Sequence, residues 1–196
     1  MKNIFFKNSR ELKIVLLVFF HAMWLDSAAY GQCLVERDSV TEVLDLWVSK
    51  TEELVVPAAE AMPEDKFNFA PPIAFGEFKG ARTFAEQIKH FSATQYQLGA
   101  AILGEKSPNG EKDERAPDYL KTRKEILEYL KGSFTYLHKA VASINKENMV
   151  KPISIPFKSD RTGFVIDAIL HTSNHYGQMI EYLRMNGVIP PDSRKK

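Results

Sequence analysis

Two histidines near the end of the chain have the spacing of a metal-binding pair. His171 and His175 are four residues apart, so on a helix they lie on one face, one turn apart. Zinc and similar divalent ions bind neutral imidazole nitrogens at ~2.0–2.1 Å, and two such ligands do not complete a site. His90, in an earlier helical segment, is the natural third ligand. The three histidines predict a site for one divalent metal with open coordination positions, the pattern of a reactive centre.

The residues around these histidines argue against two familiar metal architectures. A zincin helix carries a glutamate directly after its first histidine as general base, and Thr172 stands there instead. A di-iron bundle requires Glu-x-x-His on two helices, whereas Glu86 and His90 are four residues apart. A non-metal alternative also fits the spacing: the two late histidines are polar members of a bundle that hydrogen-bond neighbours such as Thr172, Ser173 or Tyr182.

Two further side chains lie within a turn of the late histidine pair. Asp167 lies one turn before His171 and could orient it or act as a base, but a favourable charge in the first turn of its helix is the simpler role. Gln178 lies about one turn after His175 and could hydrogen-bond a ligand or the opposite helix.

The remaining candidates have ordinary structural roles. Thr94 and Gln97 share the face of His90 and are expected to pack, and His138 is expected at the boundary of the core. Cys33 is the single cysteine, which excludes an intramolecular disulfide and a CxxC site. Its position near an N-terminus makes an incidental thiol the simpler interpretation.

Four amphipathic segments predict the helices that must hold these side chains. The first covers about residues 40–61, begins with a Ser39–Glu42 capping box and contains Pro57, which predicts a kink or an early end. Its apolar stripe is Val40, Leu44, Trp47, Leu54 and Ala58, with Thr51 on the same face.

The other three segments are about as long. The second covers about 84–103, between Thr83 as cap and Gly104 as stop. The third has the most regular pattern, over residues 127–144, and Pro117 is expected in its first turn.

The fourth segment covers about 164–185 and ends at Asn186-Gly187. It carries both late histidines. With no competing strand pattern, the prediction is an all-α, four-helix bundle over residues 38–191.

The N-terminus has the order of a secretory signal peptide. Basic side chains from Lys2 to Lys13 precede an apolar run from Ile14 to Leu25, and small residues follow up to Gly31. The run is shorter than the ~20 residues that span a bilayer. We therefore expect residues 1–31 to be cleaved, leaving an exported chain without a stable membrane anchor. An uncleaved anchor is the alternative.

The charge of the chain argues against one class of partner. The formal net charge is +1 over 196 residues, and no basic block follows the leader. Nucleic-acid binding requires a basic surface, so no nucleic-acid partner is expected.

The chain resembles the DinB/YfiT-like superfamily over about residues 38–191. Three stretches carry the resemblance: Ala61-Met-Pro-Glu-Asp-Lys-Phe-Asn-Phe69, Arg82-Thr-Phe-Ala-Glu-Gln-Ile-Lys-His90, and His171-Thr-Ser-Asn-His-Tyr-Gly-Gln178 with the Leu-Arg and Pro-Pro that follow it. The resemblance implies a four-helix bundle with zinc or nickel on His90, His171 and His175, and often a homodimer. Relatives often carry arginine where this chain has Tyr176, which argues against an anion-binding role at that position.

Two classes of function are consistent with this resemblance. One is a metal-dependent hydrolase or thiol-dependent transferase acting on an unknown small molecule, in which a metal-bound water or thiol attacks an electrophile. The other is a metal- or ligand-binding protein without turnover. The open coordination positions favour the first, and the absence of an obvious general base favours the second.

Overall fold

Four long helices make up most of the protein in the computed structural model, which describes residues 39–72, 76, 79–110, 116–154 and 158–194. They are α1 (Val40–Ala61), α2 (Phe84–Leu103), α3 (Arg123–Ala142) and α4 (Arg161–Met185). Residues 39–196 form one compact unit. The predicted four-helix bundle is confirmed, while the predicted signal peptide and Cys33 lie outside the described residues.

Side-chain caps determine where the helices begin. Thr83 starts α2 with a reciprocal capping box, because its hydroxyl accepts from the Glu86 N–H and the Glu86 carboxylate accepts from the Thr83 N–H. Thr122 and Glu125 do the same for α3. Because this box supplies the stronger start signal, α3 begins at Arg123, and the prediction that Pro117 lies in its first turn is wrong.

Two other helix features differ from expectation. Pro57 lies inside α1, and the helix continues through it to its predicted end at Ala61, so the expectation of an early end at Pro57 is wrong. Asp160 caps α4 by accepting from the Gly163 N–H at 2.8 Å, so α4 begins three residues before Phe164.

A short strand pair precedes α4. The antiparallel segments β1 (Pro152–Ile153) and β2 (Ser159–Asp160) lie between α3 and α4. Each contains two residues, which is too short to leave a periodic signal in the sequence.

Large apolar side chains fill the space between the four helices. Phe84, Phe91, Phe134 and Phe164 are fully buried, with one or more contributed by each of α2, α3 and α4. On α1 the buried residues include Leu44, Val48, Thr51, Val55 and Ala58.

The predicted stripe of α1 is partly wrong. Trp47 is 53% exposed and Leu54 is 38% exposed, although both were expected in the core. Val48 and Val55 take the inward positions instead. A helix rotated by one residue presents a different but equally apolar face, and periodicity alone does not choose between them.

Helix packing places α2 beside α4. α1 contacts α3 and α4, and α2 contacts the same two helices, so the spatial order around the bundle is α1, α3, α2, α4. Two short 3-10 helices, Glu64–Lys66 and Pro191–Ser193, follow α1 and α4.

Among the described residues, no helix is long and apolar enough to cross a membrane. The shared face of α2 and α4 is where the three predicted metal ligands meet.

Candidate metal centre

His90 of α2 and His171 and His175 of α4 come together at the interface of these helices. The Nε2 atom of His171 lies 3.1 Å from Nε2 of His90 and 3.1 Å from Nε2 of His175. The ring centroids are 4.7–5.0 Å apart, and the rings stand nearly perpendicular to one another. Three ring nitrogens therefore point toward one common centre.

These distances fit a single divalent ion. Nitrogens bound at ~2.0–2.1 Å are about 3.3 Å apart around a tetrahedral ion and about 2.9 Å apart at right angles. The observed 3.1 Å lies between the two. In the described part of the chain, one group of at least three potential ligands has donor atoms close enough together to hold a metal ion. It consists of these three histidines. The donor set, three imidazole nitrogens, suits divalent ions such as zinc and nickel.

Burial keeps one of the three ligands in its metal-binding form. His175 is only 6% exposed and its ring stacks on buried Phe91. Burial lowers the pKa of His175 to about 3, and His171, His90 and Arg82 nearby contribute to the lowering. The imidazole is therefore neutral at physiological pH, as coordination requires.

Gln87 determines which nitrogen of His175 faces the other two rings. The Gln87 side chain lies one turn before His90, and its Oε1 atom accepts from Nδ1 of His175. Gln87 donates through Nε2 to Oε1 of Gln178 at 2.8 Å, which identifies the amide oxygen as the atom that faces the imidazole. With the proton on Nδ1, the lone pair of His175 is on Nε2, toward the centre. This is the outer hydrogen bond that metal-binding histidines ordinarily make.

Sequence reasoning recognised one of these two glutamines. The expectation that Gln178 bonds the opposite helix is confirmed, and Gln178 also donates to Asn174 at 3.2 Å. Gln87 was missed, although it is only 2% exposed. Its signal was its position three residues before His90, which places both on one face of α2.

The prediction that Asp167 lies in the first turn of its helix, where its charge would be favourable, is wrong. α4 begins at Arg161 and Asp160 is its cap, so Asp167 lies in the second turn. The hydrogen bonds described for His171 and His175 do not include this carboxylate.

The other residues predicted near the site have structural roles. The hydroxyl of Thr94 donates to the backbone oxygen of His90 at 3.2 Å. Gln97 lines a different cleft, with Ala101 and Gly104, near the C-terminal end of α2. Tyr176 is partly buried and packs against the core.

His138 is separate from the metal centre and lies partly buried at the boundary of the core, as predicted, but it also has two partners that were not predicted. Its Nδ1 atom lies 2.6 Å from Oδ1 of Asp45 and its Nε2 atom lies 3.2 Å from Oε2 of Glu52. The side chain thus connects α3 to two carboxylates on α1. Sequence spacing could not reveal this, because the partners are 93 and 86 residues away.

A surface cleft adjoins the histidine cluster on the side of His90. Its volume is about 390 Å³. The cleft is lined by His90 together with Gly80, Ala81, Arg82, Glu86, Lys89, Ala116 and Asp118. One of the three candidate ligands is therefore also a wall of a space that a small molecule can enter.

Three solved structures share this fold. A conserved protein from Enterococcus faecalis aligns with a TM-score of 0.61 and 14% identity, over 76% of this chain and 98% of its own. A DinB-like protein from Bacillus subtilis gives 0.57 and 17%, over 77% and 99%. A DinB-like protein from Bacillus cereus gives 0.55 and 14%, over 73% and 90%. At these identities the likeness shows the fold alone.

The sequence itself carries the family assignment. No curated protein matches the chain. The sequence profile of the DinB superfamily matches residues 48–179, a span that runs from α1 into α4 and contains all three clustered histidines. The chain belongs to the DinB superfamily.

Proposed function

We propose that the protein binds one divalent ion, zinc or nickel, through His90, His171 and His175. The observation that carries the proposal is the convergence of three Nε2 atoms, with His171 at 3.1 Å from each of the other two. Nitrogen lone pairs do not gather in this way in a protein interior without a cation or protons between them. The low pKa of His175 argues against a second proton on its ring, and its single proton is on Nδ1, so no proton of His175 lies between the three Nε2 atoms.

The proposed site has the composition of a reactive centre. A bound divalent ion would lower the pKa of a water or thiol on an open position toward neutrality. The chain would contribute three fixed nitrogens, a His175 tautomer set by Gln87, and an approach from the cleft beside His90. On this basis we propose a metal-dependent hydrolase or thiol-dependent transferase acting on a small molecule.

One observation favours an alternative, a metal- or ligand-binding protein without turnover. The Glu86 carboxylate lies in the cleft beside His90, but it accepts from the backbone N–H of Thr83 at 2.8 Å. It is thus held as a helix cap rather than toward the histidines. The cluster of potential metal-binding atoms contains no carboxylate either, so a general base is not evident among the described residues.

An assay for catalytic turnover distinguishes the enzyme from the binding protein. Protein loaded with zinc or with nickel is assayed against esters, amides and phosphoesters, and for transfer of a small thiol to electrophiles. The enzyme proposal expects turnover that a chelator removes and that His171→Ala abolishes, with His138→Ala as the matched control that retains it. Metal-loaded protein inactive in every assay would favour the binding function.

We also propose that residues 1–31 direct export and are removed. The basic, apolar and small-residue segments occur in the order of a signal peptide. Export favours the hydrolase over the thiol transferase, because reduced small thiols are mainly cytosolic. N-terminal sequencing of the exported protein should begin near Gln32, and an intact Met1 in that fraction would contradict cleavage.

A homodimer is the proposed assembly. Trp47 of α1 is 53% exposed and Leu170 of α4 is 62% exposed, and α1 and α4 are neighbours in the bundle. Large exposed apolar side chains are typical of interaction surfaces when they form one patch. Light scattering should give twice the mass of the chain, and Trp47→Glu should shift it toward the monomer; a monomeric wild type would contradict the proposal.

A further inference from the structure

We propose that Arg82 and Lys89 bind an anionic group, a carboxylate or a phosphate, on the small molecule that enters the cleft beside His90. This inference rests on the metal-site function above and names the chemical class of its ligand. In this proposal Arg82, in the segment just before α2, and Lys89, on α2, orient that ligand toward the histidine cluster.

Arg82 and Lys89 are well placed for this task. They line the same cleft as His90, whose Nε2 atom faces the other histidines. A molecule in the cleft can therefore contact both basic side chains and His90. The volume of about 390 Å³ falls in the range of small-molecule sites.

The ion pairs of the described residues leave these two basic side chains without an acidic partner. Arg82 is exposed and Lys89 is partly buried. Among the ion pairs of the described residues, none includes either side chain. By contrast, other basic side chains of the bundle do have acidic partners, as Lys131 has Glu60 at 2.6 Å. Within the part of the chain that the structure describes, both cations of the cleft are therefore available to an incoming anion.

The acidic side chains of the cleft are already engaged. Glu86 accepts from the Thr83 N–H at the start of α2, where the positive end of the helix dipole offsets its charge. Asp118 makes an interaction of its own. The cleft contains two acidic and two basic side chains. Both acidic side chains have an interaction within the protein, whereas neither basic side chain takes part in an ion pair among the described residues.

The chemistry of the two cations suits a polyatomic anion. Arginine presents parallel N–H donors that match two oxygens of a carboxylate or phosphate, and lysine adds a point charge. Arg82 is also held by its backbone, because its carbonyl oxygen accepts from the hydroxyl of Tyr182 at 3.0 Å. Replacing the side chain of Arg82 leaves that bond in place, so a variant here tests binding rather than folding.

The test uses inorganic phosphate and acetate as separate probes of the full, metal-loaded protein. Their affinities are measured by titration calorimetry for the wild type, Arg82→Gln and Lys89→Gln. The matched control is Arg184→Gln, which removes an exposed arginine paired with Glu181 at 2.6 Å. Metal content and a melting curve are recorded for every sample.

We expect each cleft variant to bind the preferred anion roughly tenfold more weakly, with wild-type metal content, while Arg184→Gln binds as the wild type does. Tighter phosphate binding would identify a phosphate ligand, and tighter acetate binding a carboxylate. Equal affinity in wild type, Arg82→Gln and Lys89→Gln, or no binding to metal-loaded wild type, would overturn the inference and leave the metal site intact. A wild type that holds no metal would overturn the proposed function and this inference with it.

Discussion

At the residue scale, the histidine cluster depends on a buried glutamine as well as on its three imidazoles. Gln87 accepts from His175 and donates to Gln178, so one amide fixes both the tautomer of a ligand and the contact between α2 and α4. A histidine whose outer nitrogen lacks such a partner samples both tautomers, and one of them presents an N–H to the metal.

Replacing this glutamine should weaken metal binding without removing a ligand. Gln87→Leu deletes the acceptor for His175, and we expect a roughly 10–100-fold loss of metal affinity. Gln87→Glu is the matched control, because it keeps an oxygen at the same position and should stay much closer to the wild type. Competition with a chromogenic chelator measures both, and an unchanged affinity in Gln87→Leu would contradict the orienting role.

His175 should make the stability of the metal-free protein depend on pH. Its pKa is about 3 in the folded protein, mainly because the ring is buried, and ~6.5 in the unfolded chain. Between these values the unfolded chain binds a proton that the folded protein does not, so the free energy of unfolding falls as pH falls from about 6.5 toward 3. From pH 7 to pH 5 the loss is roughly 2 kcal/mol.

Urea unfolding of the metal-free protein at pH 7 and pH 5 measures this loss. The variant His175→Gln lacks the titrating group, while the other titrating groups are common to both proteins. The pH-dependent loss should therefore be smaller in His175→Gln. Equal losses in the two proteins would show that folding does not lower the pKa of His175.

At the element scale, hydrogen bonds on both sides of the histidines hold α2 against α4. On one side Gln87 bonds Gln178. On the other side Gln95 donates to Thr172 at 3.0 Å and accepts from Ser133 of α3 at 2.6 Å, with all three side chains buried. Buried polar groups are costly unless they are satisfied, so sliding one helix along the other would break both sets. These bonds fix the register that brings the histidines of α2 and α4 together.

His138 holds a different pair of helices, and its loss should affect stability alone. His138→Ala removes the partner of Asp45 and Glu52 on α1. Because all three side chains are partly exposed, we expect a loss of only about 1 kcal/mol in the free energy of unfolding. Metal content should not change. Unaltered stability in denaturant would show that this contact contributes nothing, and lost metal would connect His138 to the metal centre.

Which elements form was predictable, because each helix has local signals. The capping residues Ser39 and Thr83 and the stop at Gly104 lie where the sequence indicated. The sequence did not predict correctly which face of α1 is buried, because Trp47 was expected in the core and is exposed. Only packing against the other helices decides which apolar face of α1 turns inward. The start of α3 was also missed, because the capping box at Thr122 outweighs the proline signal before it.

In the candidate site, too, some residues could be predicted from the sequence and others could not. His171 and His175 lie four residues apart on one helix, and local geometry alone predicts that they meet. Gln87 and His138 act through partners 88 and 86–93 residues away. Such contacts depend on which helices are neighbours, and the sequence of one chain contains no direct record of that.

At the scale of the whole molecule, the bundle joins two parts of the chain that are far apart into one candidate site. α2 supplies His90 and α4 supplies His171 and His175, and the superfamily profile covers both. An ion that binds only when these helices are docked stabilises the folded state by mass action. Metal binding and the docking of α2 on α4 should therefore be lost together.

The most direct test of the three-histidine site is the metal content of purified protein after saturation with zinc or nickel and gel filtration. We predict about one ion per chain for the wild type and for His138→Ala. We predict a marked loss for His90→Ala and almost no metal on the double variant His171→Ala/His175→Ala. Full retention of one ion per chain by the double variant would contradict the site.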